Sequence, residues 1–190
     1  KTRLYGHSWD STDFTSEQYD WIRDHFEYFT IEKKHQTLLH EGPSHELTSR
    51  LLSTQLIEAN PRCKPLMIYS IGSAYPVHFE SEAEALITNP EYFTYDANGD
   101  PDNLNVANSG ENDWYVETVN YNTENSDLYG IFVDGFKGTY LEFPENVQYM
   151  SDRMTGFRLV NGMDFAPGGL SIRDWPESMN YSDGVFIDSF

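Results

Sequence analysis

Basic side chains are scarce in this 190-residue chain: 12 Lys and Arg stand against 31 Asp and Glu, for a formal charge of -19. A field of that sign repels phosphate backbones and anionic membrane surfaces, so nucleic acid is not an expected partner and neutral substrates fit better than anionic ones. The few cations are scattered, with Lys33-Lys34 the only adjacent pair. Cysteine is nearly missing. Cys63 stands alone, so no intrachain disulfide can form and stability has to come from the core. No apolar run is long enough to span a bilayer. Also lacking are a phosphate-cradling glycine loop, a Gly-x-Ser-x-Gly elbow and a His-Glu-x-x-His helix, which argues against nucleoside triphosphatases, α/β-hydrolases and zinc peptidases. No secretory leader is visible, although the opening Lys-Thr-Arg-Leu-Tyr would follow a removed one equally well. The acidic, Lys-poor, Tyr- and Asn-rich composition suits an extracellular, cell-surface or saline setting, and Asn180-Tyr181-Ser182 is a glycosylation sequon of a length that often occurs by chance.

What the chain does have is three short apolar runs that each end in one acid: Tyr28–Glu32, Gly130–Asp134 and Gly184–Asp188. Runs of β-branched and aromatic residues without polar alternation read as strands buried on both faces, as in a parallel sheet covered by helices. An acid at the end of such a strand lies on the sheet's C-terminal edge, where α/β barrels and open α/β sheets carry their chemistry. Capping of the next loop or helix is the plainer role for any one of them.

The remaining pattern alternates strand and helix. Strands are expected at Leu4–His7, Tyr28–Glu32, Leu66–Ile71, Tyr129–Asp134, Arg158–Asn161 and Val185–Asp188. Helices are expected over Glu17–His25, capped by Ser16, from Ser44 to Ala59 with Leu47, Leu51, Leu52, Leu56 and Ile57 as the buried stripe, and near Ser81–Ile87, Glu111–Thr123, Pro144–Met154 and Leu170–Ser178. The irregular stretch from Gly72 to Ser109 is an insertion of the kind that lies over the working face. This order predicts a parallel α/β sheet. Six open strands would leave two unpaired edges, whereas a closed eight-stranded barrel takes ~250 residues. The expectation is one (β/α)8 TIM-barrel domain over 1–190, truncated at its C-terminal end with about six strand–helix units present; an open doubly wound sheet is the alternative.

Numbered in order, the second, fourth and sixth predicted strands end in Glu32, Asp134 and Asp188, and alternate strands supply one layer of a barrel. Glycoside hydrolysis needs a carboxylic acid for the leaving oxygen and a second carboxylate ~5–5.5 Å away as nucleophile, or ~6.5–9.5 Å away as base for a water. Asp134 and Asp188 are the candidate pair. Asn161 and Asp164 flank the end of the fifth strand, and Tyr69 and Ser70 end the third. Asn161, Asp164, Tyr69 and Glu32 are candidates for holding sugar hydroxyls; an Asn-Gly turn at Asn161 and a core role for Tyr69 are the simpler alternatives. His7 and His35 follow strands one and two but belong to no metal-ligand spacing. The Asp96–Asp102 loop offers alternating oxygens that would suit Ca²⁺, yet lacks the EF-hand register and reads better as a solvated turn. No metal or redox cofactor is called for.

Phe29-Thr30-Ile31-Glu32-Lys33 and Gly130-Ile131-Phe132-Val133-Asp134-Gly135, with Asn60-Pro61 closing a helix and Asn89-Pro90-Glu91 before a Gly99 turn, resemble a family of TIM-barrel glycoside hydrolases known largely from sequence. The resemblance runs over nearly the whole chain, through short motifs, and implies a secreted carbohydrate-active enzyme in which Glu32 and Lys33 carry the Ile-Glu-Lys signature, a substrate contact or an ion pair both fitting the two residues. Lys34 departs from the small residue expected after it. More distantly the layout is similar to retaining α-glycosidase barrels, which implies Asp134 as nucleophile and Asp188, where Glu is as common, as acid/base. The competing expectations are a non-catalytic carbohydrate-binding or structural protein on the same barrel and, more remotely, a metal-dependent deacetylase or lyase. Oligomeric state is not legible.

Overall fold

The structure, a computed structural model, describes residues 4–8, 12–35, 41–136, 139, 142–161 and 183–186. Its elements run β1 (Leu4–His7), α1 (Ser16–His25), β2 (Phe26–Ile31), α2 (His45–Ala59), β3 (Lys64–Ser70), α3 (Glu80–Thr88), β4 (Phe93–Tyr95), β5 (Pro101–Leu104), α4 (Ser109–Glu124), β6 (Gly130–Asp134), α5 (Pro144–Ser151), β7 (Phe157–Asn161) and β8 (Gly184–Phe186). Six strands pair in the order β1-β2-β3-β6-β7-β8, every neighbour parallel. The sheet curls into a half-barrel with helices outside it, an incomplete TIM barrel as the strand–helix alternation predicts. The helix expected over Leu170–Ser178 lies outside the described residues, as does the end of the last strand at Asp188.

Period-two alternation sorts the side chains into two cores. Leu66, Ile68, Phe132 and Leu159 fill the concave face, with Tyr5, Tyr28 and Phe157 packed against them. Phe29, Ile31, Met67, Tyr69, Ile131, Val133 and Val160 point the other way, into the helix layer with Leu52, Leu56, Val116 and Val119. Gly130 is required where β6 meets β7: a Cβ there would stand 1.9 Å from the Phe157 carbonyl oxygen.

The local signals hold with small shifts. Thr15, one residue before Ser16, caps α1: its Oγ1 accepts from Gln18 N at 3.3 Å while Gln18 Oε1 accepts from Thr15 N at 2.7 Å, a reciprocal capping box. α2 is rotated from its expected face. Leu52 and Leu56 are buried, but Leu47 and Leu51 are 40% and 54% exposed, and His45, Glu46, Thr48, Ser49 and Ser53 face inward instead. The inward polar groups have partners: His45 Nε2 donates to the Ile68 carbonyl at 3.1 Å, and Ser53 Oγ to Arg50 O at 2.7 Å.

The insertion after β3 is ordered. β4 and β5 form an antiparallel hairpin, tied to the loop after β3 by Ala74 N donating to Asp102 O and Leu104 N to Gly72 O, each at 3.0 Å. At its tip Asp96 Oδ1 accepts from Asn98 N at 2.8 Å and Asp100 N at 2.9 Å, the self-contained turn expected of that acidic stretch.

Candidate active site

Two residues beyond the last concave-face residue of each of five strands, the same face continues as a ring of polar groups. Tyr5 leads to His7, Thr30 to Glu32, Ile68 to Ser70, Phe132 to Asp134 and Leu159 to Asn161. Parallel pairing sets their strand ends side by side, with Ser70 opposite Asp134 and His7 opposite Thr30. The C-terminal rim therefore gathers Glu32 and Lys33, Asp134, and Asn161 from three separate stretches of chain.

Asp134 ends β6 and is partly exposed. Its Oδ1 accepts from Asn161 Nδ2 at 3.1 Å and from the Gly135 amide at 3.0 Å, while Oδ2 faces Lys33 Nζ at 3.9 Å. An oxygen that accepts two N–H groups is fixed in orientation and leaves the other directed at the mouth. Gly135 supplies its donor from a φ of +70°, a left-handed turn in which a side chain would be strained. The Asn161 Oδ1 is buried without a partner among the described residues.

Glu32 is only 2% exposed, so its charge has to be satisfied by protein groups. His7 Nε2 lies 3.2 Å from Oε1, Lys33 Nζ 3.7 Å from Oε2, and the Lys33 amide donates to Oε2 at 3.0 Å. Burial opposes the charge, but the His7 hydrogen bond and the Lys33 ammonium outweigh it and hold the carboxyl below its usual range. His7 is in turn held through Nδ1, 3.0 Å from the Tyr5 hydroxyl, which donates to Thr30 Oγ1 at 2.8 Å. Lys33 Nζ also sits 4.9 Å above the Tyr75 ring. Tyr75 comes from the insertion, and no local pattern in the sequence marks it.

Of the other sequence candidates, Tyr69 is set apart. Fully buried in the helix layer with its hydroxyl 2.7 Å from Ser81 Oγ, it offers nothing to a ligand at the rim. His35 is buried against Phe14, with ring centroids 4.4 Å apart. Asp164 and Asp188 lie outside the described residues. The last described residue of β8 is Phe186, opposite Asn161, so the Asp134–Asp188 separation lies outside them too. Among the described residues no cluster of three or more His, Cys, Asp and Glu could hold a metal ion, and no helix is long and apolar enough to cross a membrane. A surface depression of about 660 Å³ lies at the opposite, N-terminal edge of the sheet around Arg23, Cys63 and Lys64, away from these carboxylates.

No protein-family model matches the chain, and neither does any curated protein. Solved structures do. A maltogenic α-amylase of Thermotoga neapolitana aligns at 11% identity with a TM-score of 0.62, covering 97% of this chain and 49% of that one. An α-amylase of Geobacillus thermoleovorans, solved with acarbose, aligns at 11% identity and a TM-score of 0.60, covering 96% and 51%. The glycoside hydrolase domain of PelA from Pseudomonas aeruginosa aligns at 12% identity and a TM-score of 0.56, covering 100% and 67%. The chain thus spans about half the length of the two amylases. At such identities what is shared is the fold: the half-barrel of glycoside hydrolases.

Proposed function

We propose that the protein is a glycoside hydrolase acting on a neutral oligo- or polysaccharide, with Asp134 as the carboxylate that attacks the anomeric carbon or activates water. Asp188 protonates the leaving oxygen, and Glu32, Lys33 and Asn161 position the sugar and the nucleophile. The reading is carried by one observation: Asp134 stands at the C-terminal end of a half-barrel strand with one oxygen pinned by two N–H donors and a lysine ammonium facing the other. That is the arrangement an oriented, charge-compensated nucleophile needs. The fold shared with α-amylases and the PelA hydrolase domain, and an overall charge that disfavours polyanions, support the same substrate class.

The test is single replacement of Asp134→Asn and Asp188→Asn, assayed on a panel of neutral and anionic glycans. Each is expected to lose activity roughly 10²–10⁴-fold, the usual contribution of a positioned acid or base. Unchanged cleavage by both variants overturns the assignment. A parent protein that binds glycans but cleaves none identifies a carbohydrate-binding scaffold instead.

A further inference from the structure

Beside Asp134 is a second hollow that the proposed cleavage chemistry does not use. It encloses about 380 Å³ between the loop after β3, the β4–β5 hairpin and the residues Gly135, Thr139, Glu142 and Phe143. Gly135, whose amide holds Asp134, forms part of its wall. The hollow therefore adjoins the residue that orients the Asp134 carboxylate, and the inserted hairpin supplies much of its wall.

The lining chemistry is specific. Hydroxyls come from Ser73, Thr94 and Thr139, amides from Asn103 and Asn105, and one half-buried ring from Phe143. Among the described lining residues Glu142 is the only charged group, and none is basic. The Asn105 amide nitrogen is committed to Glu91 O at 3.0 Å and that of Asn103 to Asp102 Oδ2 at 2.7 Å. Their carbonyl oxygens make no hydrogen bond among the described residues and can accept from a ligand's hydroxyls. Leu104 and Val106, both buried, form an apolar floor. The frame is preformed: Leu104 N donates to Gly72 O, Ala74 N to Asp102 O, and Ser73 bridges to Asn103. Pockets with an apolar floor and a few fixed polar groups hold small ligands whose polar edges match them. Among the described lining residues a phosphate or carboxylate would find no cation, whereas a sugar ring presents hydroxyls to the amides and C–H faces to Phe143.

We propose that this hollow is a substrate subsite that holds one or two neutral sugar units next to the bond cleaved at Asp134. This rests on the glycoside hydrolase reading above and adds to it where the chain beyond the scissile bond is gripped. The inserted hairpin then acts as the specificity element, selecting longer neutral chains over short ones.

The test is binding, separate from turnover. On an Asp134→Asn background, amide shifts are mapped by NMR as neutral hexose oligosaccharides of two and six units, α- and β-linked, are added. The six-unit ligand of the preferred series is expected to move the amides of Ser73, Asn103 and Asn105, with the two-unit ligand moving them far less. Adding Asn103→Ala and Thr94→Ala is expected to weaken six-unit binding about tenfold relative to two-unit binding, the loss of about two hydrogen bonds. Six-unit binding that shifts only the rim around Glu32 and Asn161 overturns the subsite and leaves the hydrolase reading standing. Failure of every oligosaccharide to bind overturns both. The mapping on the Asp134→Asn background decides the question even if the double replacement fails to fold.

Discussion

Glu46 and Glu80 cap each other's helices. Glu80 Oε2 accepts from the Glu46 amide at 2.9 Å and its Oε1 from the Leu47 amide at 2.8 Å, at the start of α2. In return Glu46 Oε2 accepts from the Ser81 amide at 2.9 Å, at the start of α3, and its Oε1 accepts a hydrogen bond from the Ser81 hydroxyl. Each carboxylate thus meets the unsatisfied amides and positive end of the other's helix. Burial and the hydrogen bond with Glu80 push the Glu46 carboxyl up to about 8, while that same hydrogen bond and the backbone donors hold Glu80 low against its own partial burial. The pair shares one proton, kept on Glu46.

Replacing Glu80 with Ala leaves two amides at the start of α2 without their acceptor. The expected loss is about 1–2 kcal/mol, read as a lower urea midpoint with an unchanged slope. Glu80→Gln keeps one acceptor oxygen and is expected to lose less. A Glu80→Ala variant as stable as the parent would show the exchange to be absent in solution.

The same lock sets which side of α2 is buried, and this gives a second prediction. Leu51→Lys, at a position more than half exposed, is expected to change stability by less than about 0.5 kcal/mol. Ser49→Leu, at a fully buried position beside His45, is expected to destabilise by about 1–3 kcal/mol through overpacking. Thermal unfolding of the two variants checks this, and the reverse order would restore the leucine stripe.

That contrast also marks what the sequence alone could show. Strands of uninterrupted Ile, Val, Phe and Met needed only their neighbours in the chain to be recognised, and the acids closing them, Glu32 and Asp134, fell on one rim because every pairing is parallel. Leucine spacing misread α2 because its inward polar residues are satisfied from afar: His45 by Ile68, and Glu46 by groups 34 and 35 positions on. Tyr75 over Lys33, and Asn161 against Asp134, are likewise contacts across the fold with no local spacing. Tyr69 shows the converse. It adjoins Ser70 in sequence, but period two turns it away from the rim and into the helix layer.

Glu82 on α3 and Glu111 on α4 make stability depend on pH. Both are fully buried, and burial pushes each carboxyl up to about 8, opposed at Glu82 by the Tyr75 amide. The groups facing them, Glu46 from α2, Tyr69 from β3 and Tyr115 from α4, include no cation. An unfolded chain releases these protons near ~4.3, so between there and about 8 the folded state holds more protons than the unfolded one. Stability therefore falls as pH rises through that window and levels off above it. Glu32, held low, contributes in the opposite sense, and its share is lost only as pH falls below the ordinary carboxylate range. The urea midpoint is expected to be higher at pH 5 than at pH 8, and Glu111→Gln should narrow the gap by an amount on the order of a few kcal/mol. Identical gaps in parent and variant would remove Glu111 from this account.

Lys33 joins the two acids of the rim. Its ammonium, with 13% of the side chain exposed, is 3.7 Å from Glu32 and 3.9 Å from Asp134, and the Tyr75 ring covers it. Lys33→Met keeps the stem's length and apolar contacts but removes the ammonium that faces both carboxylates. Under the proposed mechanism kcat/KM is expected to fall roughly 10- to 100-fold, about 1.4–2.7 kcal/mol, the range for a charge-assisted contact. The fall should lie in kcat rather than KM if Lys33 acts through Asp134, and in KM if it chiefly holds the sugar. Lys33→Arg restores the charge, but a planar guanidinium does not reproduce a compact ammonium between two carboxylates, so only partial recovery is expected. A fully active Lys33→Met variant would mean that Glu32 and Asp134 work without a shared cation, and the rim would then have to orient Asp134 through Asn161 and Gly135 alone.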